Sequence, residues 1–191
     1  MRRLTLTAAL LCTLLISACT KDQASADNPP ELPESTTQSN KAEPKTNERG
    51  NIPKKLEEEA GVTYSRSEPS VVFSIDQIDV DPECYEHGIK PDNGHTLLLH
   101  VRVATSDEQA ANRDAGLLLV PYNFAVLGSD GVTKSAAMGM CTDPDGYLPT
   151  EFGANQKYRG TIELVVPEPS GTVILNNYGG RGWEWTYPAS K

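Results

Sequence analysis

Two of the four cysteines, three histidines and a dense set of carboxylates carry most of the reactive chemistry beyond the N-terminal region of this chain. Cys84 and Cys141 form an even pair, which in an oxidising compartment favours a single disulfide. Closing so long a loop contributes on the order of 4 kcal/mol by restricting the unfolded chain. A zinc site needs more thiol or imidazole than two distant cysteines supply. His87 and His95 flank a loop of Pro, Asn and Gly, and His100 falls on the polar side of a strand pattern, so all three read as loop or surface residues. The chain has no Gly-x-Ser-x-Gly elbow, no His-Glu-x-x-His and no phosphate-cradling glycine loop. No catalytic residue, metal ligand set or cofactor is therefore expected.

The carboxylates gather in two places. Asp76, Asp79, Asp81, Glu83, Glu86 and Asp92 surround Cys84, while Asp143, Asp145 and Glu151 follow Cys141. A bond between the cysteines would bring the two groups together, and calcium takes six to eight oxygen ligands. The run Asp143-Pro144-Asp145-Gly146 is not an EF-hand loop, because no acidic residue follows in register. Acidic turns that keep the domain soluble are the expectation, with calcium binding the alternative. Near the C-terminus Trp183, Trp185 and Tyr187 alternate with Glu184 and Thr186, so the three rings share one side of a strand. Buried, they are core; exposed, they offer a face for stacking on a glycan or small ligand.

Cys19 has a different setting. Arg2 and Arg3 precede an apolar stretch over residues 4–16, whose helical length of about 20 Å is short of the roughly 30 Å of a bilayer core. Such a stretch suits a secretory leader. The residues Ile16-Ser17-Ala18-Cys19 resemble the lipobox of bacterial lipoproteins, in which the thiol takes a diacylglycerol. Two acyl chains meet the two-signal requirement for stable anchoring. Residues 1–18 are thus read as a lipoprotein signal peptide, with the mature chain anchored on the extracytoplasmic face of the cell membrane. Thr20 and Lys21 follow Cys19 in place of an Asp, which in a Gram-negative cell would direct the protein to the outer membrane.

Losing the two positive charges of Arg2 and Arg3 with the leader takes the formal net charge from −9 to −11. That charge excludes nucleic acid, whose binding depends on Lys and Arg displacing counterions from phosphates. It also leaves the lipid to do the anchoring. Residues 19–62 contain few large apolar side chains and are rich in Pro, Ser, Thr, Asn, Glu and Lys. They read as a disordered tether. Residues 63–191 read as one domain.

Period-two alternation marks strands at residues 96–104 and 160–167. The strand over residues 71–81 changes phase, which a β-bulge near Asp76 and Gln77 would repair. Further strands are expected at residues 117–127, bent at Pro121, and at 132–138, 172–176 and 183–187. No helical pattern reaches ten residues. Short strands separated by turn residues point to an all-β, two-sheet antiparallel sandwich.

The order of these strands, the run Phe124-Ala125-Val126-Leu127-Gly128-Ser129-Asp130-Gly131 and the strand Gly160-Thr161-Ile162-Glu163-Leu164-Val165-Val166-Pro167 resemble a known group. These are the immunoglobulin-like domains of unknown function of Gram-positive and actinobacterial surface lipoproteins, akin to a secreted mycobacterial immunoprotective antigen. The Leu-Pro-Gly common before the second run is replaced here by Phe152-Gly153-Ala154-Asn155. The resemblance implies an immunoglobulin-like sandwich and supplies no activity. The expected function is a non-enzymatic interaction module with an envelope or extracellular protein partner. A glycan-, small-ligand- or calcium-binding lipoprotein is the alternative.

Overall fold

Strand β4 (His95–Thr105) organises the structure, because its inward residues Leu97, Leu99, Val101 and Val103 are all buried. The computed structural model describes residues 45–64, 68–177 and 181–188; Cys19 and the leader lie outside the described residues. In chain order the described strands are β1 (Ile52–Pro53), β2 (Ala60–Val62), β3 (Val71–Val80), β4, β5 (Phe124–Leu127), β6 (Thr133–Ser135), β7 (Ala137–Met138), β8 (Lys157–Val166), β9 (Gly171–Leu175) and β10 (Trp183–Tyr187). A helix, α1 (Gln109–Leu118), follows β4, and 3-10 turns lie at Pro121–Asn123 and Pro144–Gly146.

The strands form two sheets, ordered β2-β3-β4-β8-β7 and β1-β10-β9-β5-β6. Every pairing is antiparallel except β1 beside β10. The expected two-sheet sandwich is therefore present. Side chains from both sheets make one core: Phe73 of β3 meets Trp183 of β10 edge-on at 5.2 Å and lies tilted against Trp185 at 6.5 Å. Burying rings of this size contributes on the order of 5 kcal/mol each in transfer free energy. The β3–β4 register shifts between Ile75 and Gln77. This is the expected bulge, and it keeps Phe73, Ile75 and Ile78 all facing the core.

The structure corrects three expectations. Residues 109–118 are a ten-residue helix, and the strand expected from residue 117 starts only at Phe124. Ala111, Ala115, Leu118 and Leu119 bury one narrow stripe at helical spacing, and alanine is the best helix former. Asn123 ends the helix by donating to the Leu117 and Leu118 carbonyls at 2.7 and 2.9 Å.

The strand expected at 132–138 is divided. β6 pairs with β5 in one sheet and β7 with β8 in the other, with the Ala136 N–H donating to the Phe124 carbonyl between them.

The tether boundary at residue 62 also moves. Residues 47–62 belong to the domain, since the Ile52 and Lys54 N–H groups donate to Gly182 and Glu184 and β2 pairs with β3. Backbone pairing and polar side chains hold this stretch, so its apolar content is low. Each flank of the sandwich is thus crossed by a segment that serves both sheets, β1–β2 on one side and β6–β7 on the other. This covers sheet edges that would otherwise be open to pairing.

Candidate functional site

The strip that begins at β7 is held to its neighbours by backbone, side-chain and covalent links. Met138 pairs with Leu164 of β8, and the Gly139 N–H donates to the Glu163 carbonyl. Beyond that point the Glu163 side chain takes over. Its carboxylate accepts from the Cys141 N–H at 2.7 Å, the Thr142 N–H at 2.8 Å, the Thr142 hydroxyl at 2.6 Å and the Tyr147 hydroxyl at 3.0 Å. Glu163 is only 2 % exposed. A carboxylate removed from water needs such a set of donors to replace its lost hydration. Burial, and beside it the Glu163 carboxylate, pushes the Tyr147 hydroxyl above its ordinary value, so this donor keeps its proton.

The loop after Cys84 lies directly on the strip. Cys84 and Cys141 are disulfide-bonded, the Tyr85 N–H donates to Cys141 O at 3.0 Å, and the Ile89 N–H donates to Met140 O at 2.7 Å. Two glycines permit the close approach. A Cβ at position 139 would stand 2.2 Å from Glu163 Oε1, and one at position 88 would stand 2.0 Å from Cys141 O. Any other residue at position 88 would have to displace backbone, and at position 139 it would push the Glu163 side chain off its donors.

This scaffold presents an apolar face. Met138, Met140 and Ile89 are 48 %, 54 % and 60 % exposed. Ile89 and Met140 face each other in an antiparallel bridge, and Met138 lies two residues before Met140 along extended chain. All three therefore project to one side. The 3-10 turn at Pro121–Asn123 packs against β7 and brings exposed Tyr122 to the same flank. On the same loops, within six residues of Ile89 or Met140 along the chain, lie the exposed carboxylates Glu83, Glu86, Asp92, Asp143 and Asp145, none of them in an ion pair among the described residues. Lys90 is the cation among them.

A second polar surface covers the outside of β3, β4 and β8. There Asp81 pairs with His95 at 2.7 Å, Asp79 with His100 at 2.8 Å and Asp76 with Arg102. The Arg102 guanidinium holds the Asp76 carboxyl below its ordinary value, and Arg102 stands opposite Arg159 in the register. A shallow groove of about 520 Å³ runs beside Arg102, Lys157 and Arg159. Of its charged lining residues, Arg102 is paired with Asp76.

No known protein family matches this chain, and no curated protein sequence is recognisably similar to it. Among solved structures it is similar to a secreted protein of Mycobacterium tuberculosis, MPT63. The TM-score is 0.43 at 17 % identity, over 72 % of this chain and 98 % of that one.

Of the residues singled out from sequence, Cys84 and Cys141 form the expected bond. Cys19 lies outside the described residues. Trp183, Trp185 and Tyr187 are buried, so the aromatic stripe is core and offers no ring to a ligand. Trp185 Nε1 has no hydrogen-bond partner among the described residues, whereas the Tyr187 hydroxyl donates to Glu168 O, and burial pushes it up to about 12. His87 stacks edge-on with Tyr85 at 5.9 Å.

The disulfide does join the loop that carries Glu83 and Glu86 to the one that carries Asp143 and Asp145. Even so, no three His, Cys, Asp or Glu side chains among the described residues are grouped to hold a metal ion. Asp76, Asp79 and Asp81 are engaged by Arg102, His100 and His95.

Sequence reasoning missed Glu163, Ile89, Met138 and Met140. Glu163 occupies the outward phase of β8, where period-two alternation places polar residues in solvent; here a loop covers it. The available signal was the pair Met138 and Met140, two of only three methionines in the chain.

Proposed function

We propose that this chain is a non-enzymatic interaction module, exported and held at the extracytoplasmic face of the cell membrane by a lipid on Cys19, with a protein of the envelope or its surroundings as partner. The observation that carries this reading is the exposed Ile89–Met138–Met140 face, built on a disulfide, two close-approach glycines and a buried carboxylate. A fold that commits so many constraints to a segment with an apolar outer surface holds that surface in one shape, which lowers the entropic cost of binding. The disulfide supports an oxidising, extracytoplasmic compartment. The polar residues 20–44 would then span from the lipid to the domain.

The test has two arms. Detergent-phase partitioning and intact-mass measurement should show a lipidated chain that Cys19→Ser converts to an unlipidated, aqueous one; identical behaviour of the two would remove the anchor. A photo-crosslinking amino acid at position 122 or 140 in living cells should trap a protein. A flank that crosslinks to nothing would remove the interaction module.

A further inference from the structure

The partner of the Ile89–Met138–Met140 face can be narrowed by size and charge, given the interaction-module reading. Met138 and Met140 are two residues apart on extended chain, roughly 7 Å, and Ile89 lies beside Met140 at about 5 Å across the bridge. Apolar side chains one helical turn apart, about 5.4 Å, span such a patch. Methionine side chains are flexible and polarisable, so they mould to branched or linear apolar groups alike.

The rim supplies the second criterion. Glu83, Glu86, Asp92, Asp143 and Asp145 are exposed on the two segments that carry Ile89 and Met140, where Lys90 is the one exposed lysine or arginine. The chain as a whole carries −9. An anionic bilayer or a nucleic acid would be repelled. A second copy docked through the same face would set like rim against like rim.

We infer that this face binds a basic amphipathic helix, whose apolar residues at i and i+4 cover Ile89, Met140 and Met138 while flanking lysines or arginines meet the acidic rim. Affinity comes from the apolar contact, and the rim contributes orientation, association rate and salt dependence.

The test uses the full chain carrying Cys19→Ser, which omits the lipid, and a fluorescently labelled short peptide of leucine and lysine with leucines at helical spacing. The expected result is saturable binding that weakens with salt. It should fall at least about ten-fold in the Met138→Ser, Met140→Ser double variant, whereas the Glu83→Gln, Glu86→Gln double variant should lose less affinity and show a shallower salt dependence. Because all four side chains are exposed, melting curves should stay unchanged and show that both variants fold. Equal binding of a scrambled peptide of the same composition would overturn the inference, since charge alone would then account for it. Undiminished binding by the methionine variant, or preferential binding of phosphatidylglycerol vesicles, would also overturn it. In cells, a crosslink from position 140 that maps to a basic helix supports the inference. A crosslink that maps to an acidic or non-helical segment overturns it and leaves the interaction module standing; the absence of any crosslink removes both.

Discussion

Glu163 shows how one residue can determine the shape of a surface it does not reach. Its carboxylate holds two consecutive backbone N–H groups, a hydroxyl and a phenol, and so fixes the strip from Gly139 to Thr142 against β8. Replacement by glutamine keeps the volume but turns an acceptor into a partial donor. At least one of the facing N–H or O–H groups then loses its partner in a site closed to water, a change that costs about 1–3 kcal/mol and more for a charge-assisted bond. Glu163→Gln should therefore lower the unfolding free energy by about 2–4 kcal/mol, read from urea midpoints at constant slope. A loss below about 0.5 kcal/mol would mean that water reaches these donors and that the strip is held by other means. Such a result would weaken the case that Ile89, Met138 and Met140 form a preset face.

At the scale of elements, the disulfide and the backbone bridge divide the fastening of that face between them. Cys84 and Cys141 are 57 positions apart, so their bond should contribute about 4 kcal/mol. Reduction should lower the melting temperature and remove exchange protection at the Ile89 amide, which depends on the apposed loop. Protection at the Leu148 amide should persist, because its acceptor is Thr161 O on β8. Loss of both together would mean the strip has no support apart from the disulfide. The disulfide was legible in the sequence because cysteine count and compartment constrain it. The strands of β3, β4 and β8 were legible because each buries one face, and the bulge at Ile75–Gln77 followed from their phase change. Helix α1 was not, since its buried stripe rests on Ala111 and Ala115, whose small side chains barely register as periodic hydrophobicity. The apolar face escaped for a related reason: Met138, Met140 and Ile89 belong to no single periodic run and meet only through the bridge.

For the whole molecule, the question is what closes the sandwich on the flank nearer its N-terminus. β1 is only two residues long, yet it lies along β10, and Glu184 behind it accepts from Asn47 at 2.5 Å, Arg49 at 2.6 Å and Asn51 at 3.2 Å. Burial alone would raise the Glu184 carboxyl. The hydrogen bonds from Arg49, Asn47 and Asn51 outweigh it and hold the group below its ordinary value of 4.5. A carboxyl whose folded pKa is depressed stabilises the fold fully above its unfolded pKa and loses that contribution as the pH falls through the folded one. Glu184→Gln should thus melt below the wild-type protein at neutral pH by an amount that stays constant down to about pH 5, and the two curves should converge in more acid solution. A gap that persists undiminished at low pH would show that glutamine disturbs packing and that the charge does nothing. Removing the segment altogether goes further. A chain starting at Thr63 would lack β1 and β2 and leave β10 and β3 as open edges, so it should both melt lower and self-associate on size exclusion. A chain starting at Lys45 should do neither. If the shorter chain stays monomeric and equally stable, residues 47–62 are part of the linker after all, and the domain begins at β3.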